Sequence, residues 1–501
     1  MTSTSPQVLA PHGHGRPAGD LPVKAGVVAG LALLGVLAGV APTLAVGLAV
    51  LVVLAAALVR APAWTAAGVL FVTLAVPVGW NAGALLKTDV MVGGVSVSIS
   101  VLLPVAVTGL AVVLFLIVPH AAVRQLPREA RAMLLVATVF VAAAVVLAVP
   151  LALRGGAVIA ARDLQYLVLW AWVAVPVFAW TRHRGLGDTL LFRAVVAGAG
   201  AYSLALLLMY AGPWRLRHAI YASSAMAGSD RISFFNGDVL VVAVPLVVCL
   251  VAAGGHRVLP RWAAAAAGLV MIVAVALSQT RALMLATVLA CCLAWLAIGW
   301  GHTSSLRGRM VVYAVAVVAV LLVALGILSA VGVSRAQDLP SQLSERFSLL
   351  KTYSEDSSFQ TRSVTLRAAL ARWGRDPATV VAGDGVGAQL EQYGPAGGFI
   401  GYQPAVDNAW VTVGVKGGLL LVVPLGVLLC LAEVAFVRAA RRRTAALERQ
   451  LWRVVAVSFP VFVLVATVTS SHLFKSPTMV VFVASLTAVA ALPPAREDGA
   501  A

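Results

Sequence analysis

Arg362 is the residue whose position in the sequence most directly indicates chemistry. It lies in a segment whose apolar residues recur at helical spacing and form one face: Phe359, Leu366, Leu370 and Trp373. Arg362 projects from that same face, and an unpaired charge on a buried face costs about 3 to 5 kcal/mol. Its partner is either an acid of the chain, such as Asp356 or Asp384, or a phosphate group, which suits the guanidinium fork. The pattern leaves both alternatives open.

An acid and an amide stand together at Asp407 and Asn408, where a later apolar segment begins. Lys416 follows about two helical turns further on, beside Gly417 and Gly418. Polar residues at a membrane entry are often only interfacial, but a carboxylate near arginines is also a candidate general base. The four cysteines lie in apolar segments without the spacing of a zinc site, so we predict neither a metal site nor a redox function.

The elements that must position these residues are membrane-spanning helices. Of the 501 residues, 61% are hydrophobic and only 11% are charged, far less than the surface of a soluble protein of this size requires. Several apolar blocks contain no charged residue: Val105 to Val118, Leu134 to Leu153, Leu240 to Ala253, Val311 to Leu328 and Leu419 to Ala432. Since roughly 20 apolar residues cross a bilayer, we predict an all-α polytopic membrane protein with about 12 to 14 transmembrane helices.

The distribution of basic residues predicts the sidedness. Short basic segments recur between the apolar blocks and all fall on one side, which is therefore cytoplasmic: Arg60, Arg124 to Arg131, Arg182 to Arg184, Arg257 to Arg261, Arg307 to Arg309 and Arg438 to Arg443. The same bias explains the net charge of +17 and makes a nucleic-acid partner unnecessary. Arg438 to Arg453 is predicted to be a solvated cytoplasmic helix at anionic lipid headgroups.

The chain divides into five predicted parts. These are a disordered cytoplasmic tail at 1–23, N-terminal transmembrane helices at 24–333, a long extracytoplasmic loop at 334–409, C-terminal transmembrane helices at 410–492 and a second cytoplasmic tail at 493–501. Both termini are thus expected in the cytoplasm.

The long loop is predicted to be partly helical. Ser357 to Gln360 has the form of a capping box, and Gly374 with Pro377 ends the helix. The loop holds seven Lys or Arg and eight Asp or Glu, so individual arginines matter more than a general positive field. The glycine-rich stretch 383–401 lacks a phosphate-loop or dinucleotide fingerprint and is expected to form a tight, irregular loop near the membrane surface.

Four segments together are similar to a known family. They are Ser229-Asp-Arg231-Ile-Ser-Phe-Phe-Asn236; Ser278-Gln-Thr-Arg281-Ala; Arg362 to Trp373 with Asp376-Pro377 and Gly383-Asp-Gly-Val-Gly387; and Asp407-Asn408-Ala-Trp followed by Lys416-Gly-Gly418-Leu. In this order, with a long loop between two late spans, they resemble the O-antigen ligase/polymerase superfamily of bacterial envelope glycan enzymes. The resemblance covers residues 229–420. Each motif is short, and their order is the specific part.

The resemblance implies an integral membrane glycosyltransferase of the bacterial plasma membrane that works at the extracytoplasmic face in cell-envelope polysaccharide biosynthesis. The donor would be a polyprenyl-diphosphate-linked glycan and the acceptor a glycan or lipid, with no metal and no cofactor. Whether the chain would be a ligase or a polymerase stays open. The implied site residues are Arg231, Arg281 and Arg362 with Arg215 on the diphosphate, Asp407 as the base, and Asn408 and Asn236 in support.

The chain departs from the family at the base. The family often has His where this chain has Asp407, and nearby arginines make a carboxylate a weaker base. Neither His218 nor His472 compensates clearly. This departure affects one part of the implied mechanism, the activation of the acceptor hydroxyl.

Two other functions compete with the enzyme. A flippase or other transporter of lipid-linked glycans predicts charged side chains deep inside several spans, along a path. The sequence instead indicates Asp238 and Glu433 as the main charged residues within spans, which favours the enzyme. A non-catalytic assembly subunit that binds polyprenyl carriers is the third alternative.

Overall fold

The structure is a computed structural model. It describes residues 52–76, 89–92, 95–98, 107–115, 120–183, 187–211, 220–222, 230–232, 237–254, 257–278, 280–298, 305–315, 357–394, 396–470, 473 and 476–493.

Helices dominate the described residues. In chain order they are α1 Pro62–Ala75, α2 His120–Gln125, α3 Arg128–Leu151, α4 Ala157–Val168, α5 Ala174–His183, α6 Asp188–Ala211, α7 Leu240–Ala253, α8 Arg261–Leu277, α9 Arg281–Ile298, α10 Ser357–Trp373, α11 Pro377–Ala382, α12 Ala409–Arg442, α13 Ala446–Leu464 and α14 Pro477–Ala491. Residues 52–60, 107–115 and 305–315 are helical as well. Short irregular helical turns extend four of these helices: Ala152–Gly156 after α3, Leu169–Val173 after α4, Gly237–Val239 before α7 and Val465–Thr469 after α13.

Among the residues described, six helices are long and apolar enough to cross a membrane: Arg128–Gly156, Ile159–Thr181, Asp188–Leu208, Arg281–Ile298, Ala409–Arg442 and Ala446–Thr469. Four shorter apolar helices accompany them: Pro62–Ala75, Gly237–Ala253, Arg261–Leu277 and Pro477–Ala491. The chain is thus a mainly helical membrane protein, as its composition predicts. The total of about 12 to 14 spans stays a prediction, and the tails predicted at 1–23 and 493–501 lie almost entirely outside the described residues.

The α3 helix illustrates how the bundle is built. Met133, Ala137 and Phe140 on one face are buried among neighbouring helices, whereas Leu135 and Val146 are about two thirds exposed. An exposed apolar face of this size is unfavourable in water, and in a bilayer it contacts lipid chains instead. The α12 helix packs against both α3 and α13, which joins an early helix of the chain to two late ones.

Short β-hairpins interrupt the helical pattern and were not expected from the sequence. The pairs are β1 Asp89–Val92 with β2 Val95–Ser98, β3 Ile220–Ala222 with β4 Asp230–Ile232, and β5 Leu390–Tyr393 with β6 Phe399–Gln403, all antiparallel. The third hairpin occupies the later part of the glycine-rich stretch, so the prediction of an irregular loop is wrong there, whereas Gly383 to Gly387 form irregular turns as predicted. The Tyr393 hydroxyl donates a hydrogen bond to the Glu391 carboxylate within this hairpin, which raises the pKa of Tyr393.

The segment from Arg438 to Arg453 is not the single solvated helix that its charge predicts. The α12 helix ends at Arg442 and the α13 helix begins at Ala446, so the segment joins two membrane helices. Arg443 between them is 2% exposed and binds both carboxylate oxygens of Asp188, at 2.5 and 2.9 Å. Trp452 donates to the same carboxylate at 3.0 Å. This buried pair ties the start of α6 to the junction of α12 and α13.

The helical part of the long loop has the bounds that the sequence predicts, since α10 runs from Ser357 to Trp373. The prediction of its buried face is only partly correct: Leu366 and Trp373 pack against an apolar cluster that includes Val411 and Val415, whereas Arg362 is 55% exposed. Phe359 and Leu370 are 45% and 44% exposed, while Thr365 and Ala369 are buried. Ala369 lies in the cluster with Val411 and Val415 of α12, and the Thr365 hydroxyl accepts a hydrogen bond from the Tyr393 amide of β5 at 3.2 Å.

The α11 helix was missed by the sequence reasoning. The Asp376 side chain accepts a hydrogen bond from the Thr379 amide at 2.8 Å, and the Thr379 hydroxyl accepts one from the Asp376 amide at 3.2 Å. Pro377 occupies the first turn. The amide of Thr379 and the guanidinium of Arg375 lower the pKa of Asp376, because both stabilise its carboxylate. This reciprocal cap starts a helix only six residues long.

Candidate functional site

The structure brings together two of the predicted site residues, Arg362 and Asp407. The Nε atom of Arg362 lies 3.0 Å from a carboxylate oxygen of Asp407, and the two side chains are 55% and 42% exposed. The terminal nitrogens of Arg362 have no other partner among the described residues. Arg362 is therefore paired with an acid of the chain, as one alternative predicted, but it keeps donors that face solvent.

Packing between α10 and α12 creates this ion pair. Ala369 of α10 lies in one apolar cluster with Val411 and Val415 of α12, so Arg362, about two turns earlier on α10, comes beside the start of α12. Asn408 is the N-cap of α12, and its Oδ1 accepts a hydrogen bond from the Val411 amide at 3.0 Å. Asn408, predicted as a supporting residue, thus fixes the backbone next to Asp407.

Asp384 binds arginines other than Arg362. It accepts from Nε of Arg372 at 2.5 Å and from Arg375 at 3.4 Å. Arg372 also donates to the Gln389 carbonyl at 2.6 Å. The suggestion that Asp384 pairs with Arg362 is wrong, and the other suggested acid, Asp356, lies outside the described residues. Asp384 instead fastens the loop that follows α11 to the end of α10.

That loop, Gly383 to Gly387, inserts where α12 is interrupted. Gly418 has φ +55°, which breaks the helix inside its membrane-spanning stretch and frees backbone carbonyls of the preceding turn. The Asp384 amide donates to the Val415 carbonyl at 2.7 Å. The Val386 amide donates to the Leu147 carbonyl of α3 at 3.0 Å. The Asp384 amide thereby supplies a hydrogen bond that the interrupted α12 cannot make for itself, and the Val386 amide attaches the loop to α3.

A buried ion pair lies next to the inserted loop. The Lys416 ammonium contacts the Asp163 carboxylate of α4, and the two residues are 0% and 2% exposed. The backbone amide of Gly387 approaches the same carboxylate. The expectation that Asp238 and Glu433 are the main charges within spans is therefore wrong. Both members of this pair stand within apolar segments of the sequence, and a charged residue in such a segment is the signal that could have indicated a buried pair.

Arg281 begins α9, which packs along α13 and contacts the Val465–Thr469 turn at the end of α13. The other end of its helix, at Ala297, lines a groove with Arg453 near the start of α13, so the two helices run antiparallel. Arg281 therefore lies toward the turn after α13, where Thr467 accepts a hydrogen bond from Trp410 of α12 at 3.0 Å. The Arg281 side chain is half-buried.

The remaining predicted site residues are not brought into this arrangement by the described contacts. The backbone of Arg231 pairs with Tyr221 in the β3–β4 hairpin, and its side chain is outside what the structure describes. Arg215 and Asn236 lie outside the described residues, as do His218 and His472. Among the residues described, no group of three or more His, Cys, Asp and Glu side chains is arranged to hold a metal ion.

The arrangement has a definite chemical capacity. It offers a partly exposed carboxylate for proton transfer, a guanidinium with free donors for an anion, and a backbone held rigidly by an N-cap and by the inserted loop. No family model matches this chain, and no curated protein matches it.

Proposed function

We propose that the protein is an integral membrane glycosyltransferase that transfers or polymerises a glycan from a polyprenyl-diphosphate donor at the extracytoplasmic face of the bacterial plasma membrane. The observation that carries the proposal is the Arg362–Asp407 pair, 3.0 Å apart at the junction of the loop and α12. Arg362 is a candidate phosphate ligand and Asp407 a candidate base, and both lie where a lipid-anchored substrate would bind. The resemblance of residues 229–420 supports the same function.

In this mechanism Asp407 accepts the proton of an acceptor hydroxyl while the hydroxyl oxygen attacks the anomeric carbon of the donor. The bond between that carbon and the diphosphate oxygen breaks, and its electron pair leaves with the diphosphate. Arg362 and Arg281 stabilise the negative charge that develops on the leaving group. The Nε contact of Arg362 orients the carboxylate, and its terminal nitrogens bind phosphate oxygens.

The test is a transfer assay with purified protein and polyprenyl-linked glycans extracted from membranes of the organism that produces it. The release of polyprenyl diphosphate is measured. We expect Arg362→Ala to lower kcat/KM by about 10²- to 10³-fold, because a charge-stabilising donor is lost. Asp407→Ala should lower it by roughly 10²- to 10⁴-fold. Asp407→His, unlike Asp407→Ala, should keep kcat/KM within about tenfold of the wild type, because imidazole can also act as the base.

Arg367→Ala is the matched control, because Arg367 is an exposed arginine of the same helix. It should stay within about twofold of the wild type. If folded Arg362→Ala and Asp407→Ala variants both turn over at the wild-type rate, the pair is not the catalytic site. If Arg281→Ala alone is fully active, the phosphate clamp does not include Arg281.

The second candidate function is transport of polyprenyl-linked glycans across the membrane, and one observation favours it. Transporters commonly have interrupted helices with charges at the break, and α12 is interrupted at Gly418 beside the buried Lys416–Asp163 pair. Proteoliposomes separate the two functions. Movement of labelled lipid between leaflets without release of polyprenyl diphosphate would favour the transporter, whereas release of polyprenyl diphosphate upon glycan transfer would favour the enzyme.

A further inference from the structure

A groove of about 480 Å³ lies where the end of α9, the end of α12 and the start of α13 meet. Its apolar wall consists of alanine and valine side chains, among them Ala297, Ala440 and Ala456. Its polar lining consists of three arginines, Arg441, Arg449 and Arg453. Small side chains from three helices thus leave a space at the opposite membrane end from Arg362, and arginines surround it.

These three arginines differ from their neighbours because no acid of the described chain pairs with them. Arg438 and Arg442 both bind Glu129, the latter at 2.9 Å, and Arg443 binds Asp188. No ion pair joins Arg441, Arg449 or Arg453 to an acid among the described residues, and no acid lines the groove. Three positive charges that converge without a counter-charge attract an anion.

Arg449 carries a second indication of a ligand. Its Nη2 donates to the Thr444 carbonyl at 3.0 Å, which fixes the guanidinium. Its Nε is shielded from solvent and has no hydrogen-bond partner in the described part of the chain. A shielded guanidinium donor without a partner is costly, and an anion in the groove would satisfy it.

We propose that this groove binds the phosphate-bearing headgroup of an anionic membrane lipid. The volume lies within the range of about 300 to 1,000 Å³ that is typical of small-molecule sites. The arginines supply the charge and the hydrogen-bond donors for a phosphodiester, and the wall of small apolar side chains accepts the adjoining part of the lipid. The site is independent of the proposed transfer reaction and is tested without it.

Native mass spectrometry of the detergent-solubilised protein tests the proposal. Phosphatidylglycerol, phosphatidylcholine and inorganic phosphate are added separately, and the bound fraction is measured. We expect phosphatidylglycerol to be retained at least about tenfold better than phosphatidylcholine, because only the former has a net negative headgroup. The triple variant Arg441→Gln, Arg449→Gln, Arg453→Gln should lose this preference.

The double variant Arg438→Gln, Arg442→Gln is the matched control, because it removes arginines that are already paired with Glu129. It should retain phosphatidylglycerol as the wild type does. Ala297→Leu keeps every charge but fills part of the groove, and it should also reduce retention. Equal retention by the wild type and a folded triple variant, or binding of inorganic phosphate with displacement of the lipid, would overturn the proposal.

Discussion

Lys416 and Asp163 show what a charged residue costs inside a membrane protein and how that cost is offset. Both side chains are almost completely buried, so each has lost its hydration, and their mutual contact offsets part of that cost. The inserted loop brings the Gly387 amide to the same carboxylate. The pair therefore joins three elements that are far apart in the sequence: α4, the loop after α11, and the first turns of α12.

This contact predicts the effect of removing one member of the pair. Lys416→Met should lower the unfolding free energy in detergent by about 3 to 5 kcal/mol, because it removes the buried ammonium group that contacts the Asp163 carboxylate. Adding Asp163→Asn should recover most of the loss. Arg375→Met is the control, since Arg375 belongs to an ion-paired group but is 62% exposed, and should cost at most about 1 kcal/mol. A single Lys416→Met variant as stable as the wild type would contradict this account.

At the scale of elements, the interruption of α12 and the loop after α11 depend on each other. Gly418 provides a backbone conformation that side chains rarely adopt, and the break leaves room for α11. A Cβ atom at Gly418 would lie 2.3 Å from the Val381 carbonyl, so no other residue fits without displacement. The loop in turn supplies the Asp384 amide to the freed Val415 carbonyl.

Gly418→Ala should therefore displace α11 and loosen the inserted loop. The amides of Asp384 and Val386 donate to carbonyls of α12 and α3, and a displaced loop loses these two hydrogen bonds. We therefore expect hydrogen exchange at both amides to be faster by roughly tenfold or more. Gly426→Ala is the control on the same helix, since its Cβ would meet no atom closer than 3.9 Å. Exchange at both amides that is unchanged in Gly418→Ala would mean that the loop does not depend on the break.

The sequence predicts the bounds of α10 because apolar spacing and a terminal glycine are local signals. It does not predict the Arg362–Asp407 pair as such, although it identifies both residues, because the pairing depends on how α10 packs against α12. Asp163 and Lys416 are 253 positions apart, and nothing local to either residue reveals the other. The hairpin of β5 and β6 was missed because its strands are short and surrounded by glycines.

At the scale of the whole molecule, composition alone predicts a membrane protein, since 61% of the residues are hydrophobic. Six of the described helices have the length and apolarity to cross a bilayer. Side-chain contacts at one membrane end join the starts of α3 and α6 to the end of α12. Helix length does not say which end faces the cytoplasm, and the direction rests on the distribution of basic residues.

Cysteine accessibility determines this direction. In a background without the four native cysteines, Ala396→Cys should react with a membrane-impermeant maleimide in intact cells, because Ala396 lies exposed between β5 and β6. Ala445→Cys, in the turn between α12 and α13, should react only after permeabilisation. The basic segments near α12 and α13 would then be cytoplasmic, as the positive-inside rule requires. The reverse labelling pattern would place Arg362 and Asp407 on the cytoplasmic face, and glycan transfer at the extracytoplasmic face would then be excluded.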